Sequence, residues 1–171
     1  MDHPTLRLFI TINFTCETKS GLIALQDTLR SRSKRGNFIL PENLHITLSF
    51  LGACDPKRAA AAKAVTGSMR FEPFDISIER IGCFGRDRGN LWWAGVNEGK
   101  ALLDLQRRLT DRLAGVGFEP EKRRYTPHVT LGRQVMTDAT PWPVEPFGET
   151  VSQIHLMKSE RINGKSTYTP V

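Results

Sequence analysis

Two apolar stretches of this chain each carry the same polar interruption. "ENLHITLSFLG" (residues 42–52) and "YTPHVTLGR" (residues 125–133) share the core His-x-Thr-Leu, with His45 and His128 separated by 83 positions. Side chains alternate along a strand. His45, Thr47 and Ser49 therefore share one face, with Leu44, Ile46, Leu48 and Phe50 on the other. His128 and Thr130 likewise stand on one face, backed by Val129 and Leu131. Each strand must bury its apolar side while presenting an imidazole and a hydroxyl side by side. Two such strands predict a fold of two matching halves whose polar faces meet.

The remaining periodicities supply the elements around them. "LRLFITINF" (6–14) alternates as a strand, and 18–33 reads as a helix with Leu22, Leu25 and Leu29 on one stripe. "RSRSKRGN" closes that helix in positive charge and glycine. The first histidine strand follows at 43–51, and Asp55-Pro56 caps a helix over 57–69. Residues 74–84 and 90–96 alternate as strands joined by the turn "GRDRG", and 98–114 carries a leucine stripe at 102, 105, 109 and 113. The second histidine strand spans 127–133. The proline-rich "TPWPVEPFG" (140–148) reads as a loop before two last strands, "TVSQIHLMKS" and "KSTYTPV". The expected architecture is α+β: a single domain over residues 1–171, duplicated as two lobes about a pseudo-twofold. Two mainly antiparallel sheets would face a central cleft, with helices on the outside.

With 39% hydrophobic and 25% charged residues, the composition is that of an ordinary globular protein. No apolar run approaches the roughly 20 residues of a membrane-spanning helix, and the first residues lack the pattern of a signal peptide. Three scattered cysteines (Cys16, Cys54, Cys83) suggest neither a disulfide framework nor a cysteine zinc site, and fit a reducing cytoplasm. A net charge of +6 and a pI near 9.5 tilt toward an anionic partner.

Imidazole titrates near pH 6.5, so a pair can hold one neutral and one protonated ring near neutrality. That combination suits displacement at phosphorus, where a base takes a proton from water and an acid protonates the departing alkoxide. The Thr47 and Thr130 hydroxyls, with a nearby arginine, can donate to the non-bridging oxygens. A zinc-type site would need three or more converging His, Cys or carboxylate ligands, and no acid follows either motif closely, so neither metal nor cofactor is expected. One H-x-T-L arises easily by chance; two copies at matching places of a repeat do not. The residues alone leave open which ring is acid and which is base.

Together the two motifs make the chain resemble the two-histidine (2H) phosphoesterase superfamily, defined by two H-x-[ST]-x motifs, and within it the RNA 2′,3′-cyclic phosphodiesterases first named 2′-5′ RNA ligases. "RLFITI", "PENLHITLSFLG", "LWWAGV" and "GFEPEKRRYTPHVTLGR" carry the likeness along nearly the whole chain. The resemblance implies a bilobal fold and metal-independent hydrolysis of a terminal 2′,3′-cyclic phosphate to a 2′-phosphate. It implies His45 as general acid for the leaving 3′ oxygen and His128 as general base, with Thr47 and Thr130 on the phosphate. Ser49 departs from relatives, which often carry a longer, frequently basic residue there. Arg133, a further phosphate ligand, would reach the site only where the strand bends at Gly132. The implied partner is an RNA bearing a cyclic phosphate end, such as a tRNA fragment, met by a cytoplasmic monomer with no membrane role.

Arg30, Arg32, Lys34 and Arg35 before the first motif, and Lys122, Arg123 and Arg124 before the second, would draw in such an end. Trp92, Trp93, Tyr125 and Phe50 are candidate stacking rings. Tyr125 is favoured, and with Arg123 and Arg124 forms the expected RNA contact. His3 and His155 are given no role. The alternatives are a phosphodiesterase or ligase acting on 2′-5′ linked oligonucleotides or cyclic nucleotide derivatives, and a non-catalytic RNA-end binding module.

Overall fold

Three helices and nine strands make up the computed structural model, which describes residues 4–85 and 89–171. His3 and residues 86–88 of the expected "GRDRG" turn lie outside the described residues. In chain order the elements are β1 (Leu6–Asn13), α1 (Cys16–Ser31), β2 (Ser33–Phe38), β3 (His45–Cys54), α2 (Pro56–Ser68), β4 (Phe74–Phe84), β5 (Asn90–Val96), α3 (Lys100–Gly115), β6 (His128–Thr137), β7 (Trp142–Val151), β8 (His155–Ile162) and β9 (Lys165–Pro170). A short 3₁₀ turn, Pro41–Asn43, leads into β3.

The α+β expectation holds, but two facing sheets do not form. All nine strands join one sheet in the order β7-β4-β5-β6-β3-β1-β8-β9, with β2 also on β6. The reason lies at the seam between the histidine strands, where β3 and β6 are bridged at a single antiparallel pair, Ile46 opposite Val129. Beyond it, β2 takes over the same edge of β6, pairing from Phe38 opposite Gly132 to Ser33 opposite Thr137. Because β2 claims that edge, β3 diverges and the sheet parts into two wings around the seam. Gln26 of α1, 2% exposed, locks this wedge by donating to the Ile39 and Leu131 carbonyls at 2.8 and 2.9 Å.

The wings are also interleaved in sequence. The helix that precedes the first histidine strand does not pack on that strand's wing; α1 lies on β2, β6 and β7 of the other. Gly21 makes this approach possible, since a Cβ there would come within 2.5 Å of the Phe147 ring. α2 and α3 pack on each other, α2 against β1, β3 and β8, and α3 against β3 and β4. The helices thus cover the face carrying Ile46, Leu48, Val129 and Leu131, all at most 2% exposed. The opposite face is left to the polar residues.

Two strands differ from the sequence reading. Residues 33–38, read as a charged helix stop, form β2, and the proline-rich 142–151 forms β7. β7 pairs only with β4, so it is an edge strand, where proline's missing N–H costs no ladder bond. The expected strand over 150–159 is divided, β7 ending at Val151 and β8 starting at His155.

Candidate active site

The single Ile46–Val129 bridge determines how the two motifs meet. One step along this antiparallel register, His45 lies toward Thr130 and Thr47 toward His128. All four side chains line one cleft of about 230 Å³, with Arg7, Phe9, Ile39, Asn43, Phe50, Arg133, Ser159 and Tyr168. The two motifs are therefore neighbours on one face of one sheet, not opposed across two.

Each imidazole is held in the same way. Nδ1 of His45 is 2.6 Å from the Asn43 carbonyl and Nδ1 of His128 is 2.7 Å from the Thr126 carbonyl, in both cases two residues upstream. A carbonyl only accepts, so Nδ1 carries the proton and Nε2 is left as the working atom. For His45, Nε2 is 3.0 Å from Thr47 Oγ1. Aromatic rings brace both: Phe9 and Tyr168 lie 5.3 and 5.5 Å from His45, and Trp93 and Phe84 lie 6.4 and 6.5 Å from His128.

Burial pushes His45 below the ordinary imidazole value; the Asn43 carbonyl opposes this, while the Arg133 guanidinium, and a positive charge on His128 whenever it is present, reinforce it. The free site therefore favours a neutral His45, the form of a base. This runs against the acid role that the resemblance implies, unless an anion enters the cleft. A bound phosphate would supply that anion.

Arg133 lines the cleft because β6 carries an irregularity at the place where the sequence demanded one. Trp93 pairs with Thr130 but Trp92 pairs with Gly132, so Leu131 is an extra residue and the alternation shifts by one. β3 does the same at Leu48, since Thr11 pairs with Thr47 and Ile10 with Ser49. That shift turns Phe50 out of the core face where strict alternation would put it. It lines the cleft and is 59% exposed. Phe50 and Arg133 thus occupy equivalent places, each five residues after its histidine, one aromatic and one cationic. Ser49, on the core side of its shift, does not line the cleft.

Tyr125 is not brought to the cleft. Its ring packs on the core and its hydroxyl donates to the Thr47 carbonyl at 2.9 Å, tying the approach to β6 onto β3; burial raises its pKa. Arg123 is exposed away from the cleft lining, and Arg124 is paired with Glu98 at 2.6 Å. Arg30, Arg32, Lys34 and Arg35 do not line the cleft either; Arg30 and Arg32 lie over the Phe38 and Trp142 rings. Trp92 is fully buried, and His155 stands opposite Thr11 in the sheet.

Sequence reasoning missed Arg7, Phe9, Asn43 and Tyr168. Arg7 and Phe9 were detectable as the non-core face of β1, and Asn43 by its alternation with His45. Asn43, 5% exposed, also donates through Nδ2 to the Ser166 carbonyl, so β9 helps hold the carbonyl that orients His45. Tyr168 left no local signal. Among the described residues no carboxylate is in ion-pair reach of Arg7 or Arg133, so the cleft is positive. No group of three or more His, Cys, Asp or Glu converges there or elsewhere among them.

Two oriented imidazoles and two threonine hydroxyls thus share one cleft with Arg7 and Arg133. The chain belongs to the 2′-5′ RNA ligase superfamily, whose family model matches residues 24–163. It is 37% identical over 131 residues to an RNA 2′,3′-cyclic phosphodiesterase of Methanothermobacter thermautotrophicus, covering 75% of this chain and 71% of that protein. The RNA 2′,3′-cyclic phosphodiesterase of Escherichia coli K12 is 28% identical over 167 residues, 96% of this chain and 93% of that one. The fold is similar to that of E. coli LigT complexed with 3′-AMP, with TM-score 0.84, 25% identity, and coverage of 98% and 96%. No helix among the described residues is long and apolar enough to cross a membrane.

Proposed function

We propose that this protein hydrolyses RNA 2′,3′-cyclic phosphate ends to 2′-phosphomonoesters, using His45 and His128 as its proton-transfer pair. The observation that carries this reading is that both histidines, each tied at Nδ1 to a backbone carbonyl, and both threonines line one positive cleft. The water oxygen bonds to phosphorus as the bond to the 3′ oxygen breaks. His128 Nε2 takes the water's proton, and His45 Nε2 gives one to the 3′ oxygen, leaving a 2′-phosphate and a 3′-hydroxyl. Thr47, Thr130 and Arg133 donate to the non-bridging oxygens, where charge collects in the transition state.

Burial and the neighbouring Arg133 guanidinium disfavour protonated His45 in the free site. The substrate's phosphodiester anion offsets them, so His45 gains its acid proton as substrate enters. This makes the acid form conditional on occupancy and keeps the empty site from accumulating charge. No step draws on a metal. RNA reaches the site as a single-stranded end, the form whose terminal phosphate can enter a cleft of this size.

The test is a short RNA ending in a 2′,3′-cyclic phosphate, incubated with the protein with and without chelator, and the monoester identified. A 2′-phosphate at equal rates is expected. A 3′-phosphate, or activity that disappears with chelator and returns with a divalent ion, would overturn the mechanism.

A further inference from the structure

A second groove, of about 330 Å³, adjoins the catalytic cleft and is lined by Phe50, Leu51, Arg58, Gly117, Phe118 and Glu119. Phe50 lines both cavities, so they meet across one ring. That ring is 59% exposed, the most open of the large apolar side chains among the described residues. Arg7 lies over it on the cleft side, its guanidinium carbon 5.7 Å from the ring centre. Arg58 lies on the groove side, 4.3 Å over the Phe118 ring, with one guanidinium nitrogen donating to the Gly117 carbonyl at 3.3 Å. Among the described residues neither arginine is in ion-pair reach of a carboxylate. A cation, an exposed ring and a second cation thus border the two cavities that Phe50 joins.

This order matches a single strand of RNA, in which phosphates alternate with flat bases. Proteins that hold single strands combine a positive track with rings on which bases stack. We propose that the groove beside Phe50 receives the nucleotide immediately preceding the cyclic end, with Arg58 facing its phosphate. The inference rests on the reading of the cleft as an RNA-end phosphodiesterase site, and extends it from the reacting phosphate to the length of substrate recognised. Continuity through Phe50 commits the groove to the substrate's own chain. Glu119 is the one acidic side chain in its lining, and moderates the field there.

The test compares a nucleoside 2′,3′-cyclic phosphate with the dinucleotide ending in the same group, at low salt. The wild-type protein should show a severalfold higher kcat/KM on the dinucleotide, carried by KM. Arg58→Ser should remove most of that advantage and leave the mononucleotide rate unchanged. Glu119→Lys, at an exposed position, should enlarge it and steepen its salt dependence. Equal kcat/KM on the two substrates in the wild type would overturn the inference, as would a Glu119→Lys protein that treats them as the wild type does. Failure of every protein to turn over the mononucleotide would instead refute the reading of the cleft itself.

Discussion

His45 combines two properties that pull against each other. It is held by hydrogen bonds at both ring nitrogens, and burial beside the Arg133 guanidinium favours its neutral form. A group whose folded pKa lies below its unfolded value, about 6.5 for imidazole, stabilises the fold above that pH. As pH falls below it, the unfolded chain takes up the proton more readily and stability is lost. The urea midpoint should therefore fall between about pH 7.5 and about pH 5.5 by more in the wild type than in His45→Gln. Equal falls in the two proteins would mean that the buried ring is not the source. In catalysis, alanine at either histidine should cost on the order of 10²–10⁴ in rate. With a leaving group that needs no proton, His45→Ala should recover much of its rate while His128→Ala stays slow. Recovery in His128→Ala alone would reverse their roles.

At the scale of elements, the site is shaped by two interrupted strands and one strap. The extra residues at Leu48 and Leu131 keep both leucines in the core while rotating the strand beyond them, so Phe50 and Arg133 join the histidine face. Tyr125 adds a hydrogen bond to the Thr47 carbonyl beside a seam bridged at one pair. Removing it with Tyr125→Phe should cost about 1 kcal/mol, or roughly 2–4 °C in Tm for a chain of this size. If the phenol works as a strap, kcat should fall alike on mononucleotide and oligonucleotide substrates. A rise in KM confined to oligonucleotides would restore it to the RNA-contacting role expected from sequence.

The whole molecule is one sheet parted at a seam, and neither wing is continuous in the chain. β1, β3, β8 and β9 build one wing, while β2, β4, β5, β6 and β7 with α1 build the other. The chain passes between them repeatedly, so neither can be completed without the other. Chemical unfolding should accordingly be a single transition, with tryptophan fluorescence and far-ultraviolet circular dichroism superimposing. Trp92, Trp93 and Trp142 all belong to the second wing. An early fluorescence transition well separated from the loss of ellipticity would show that this wing melts independently.

What the sequence determined by itself was whatever a short window of chain can carry. Alternation identified the strands of both motifs and 74–84 and 90–96, and a leucine stripe identified α3. The repeated His-x-Thr put His45, Thr47, His128 and Thr130 on the faces that line one cleft. Tertiary structure alone decided the rest. Nothing local distinguishes a charged helix stop from β2, which is a strand because the open edge of β6 accepts it. The prolines of 142–151 read as a loop until the segment is known to lie at the edge of a sheet. Arg133 and Phe50 reach the cleft through irregularities set by pairing with β5 and β1, and Tyr168 arrives 123 positions after His45 along the chain. The physical reason is common to all of these: periodicity records which way a side chain points within its own strand, while a strand's neighbour, register and irregularities depend on partners distant in sequence.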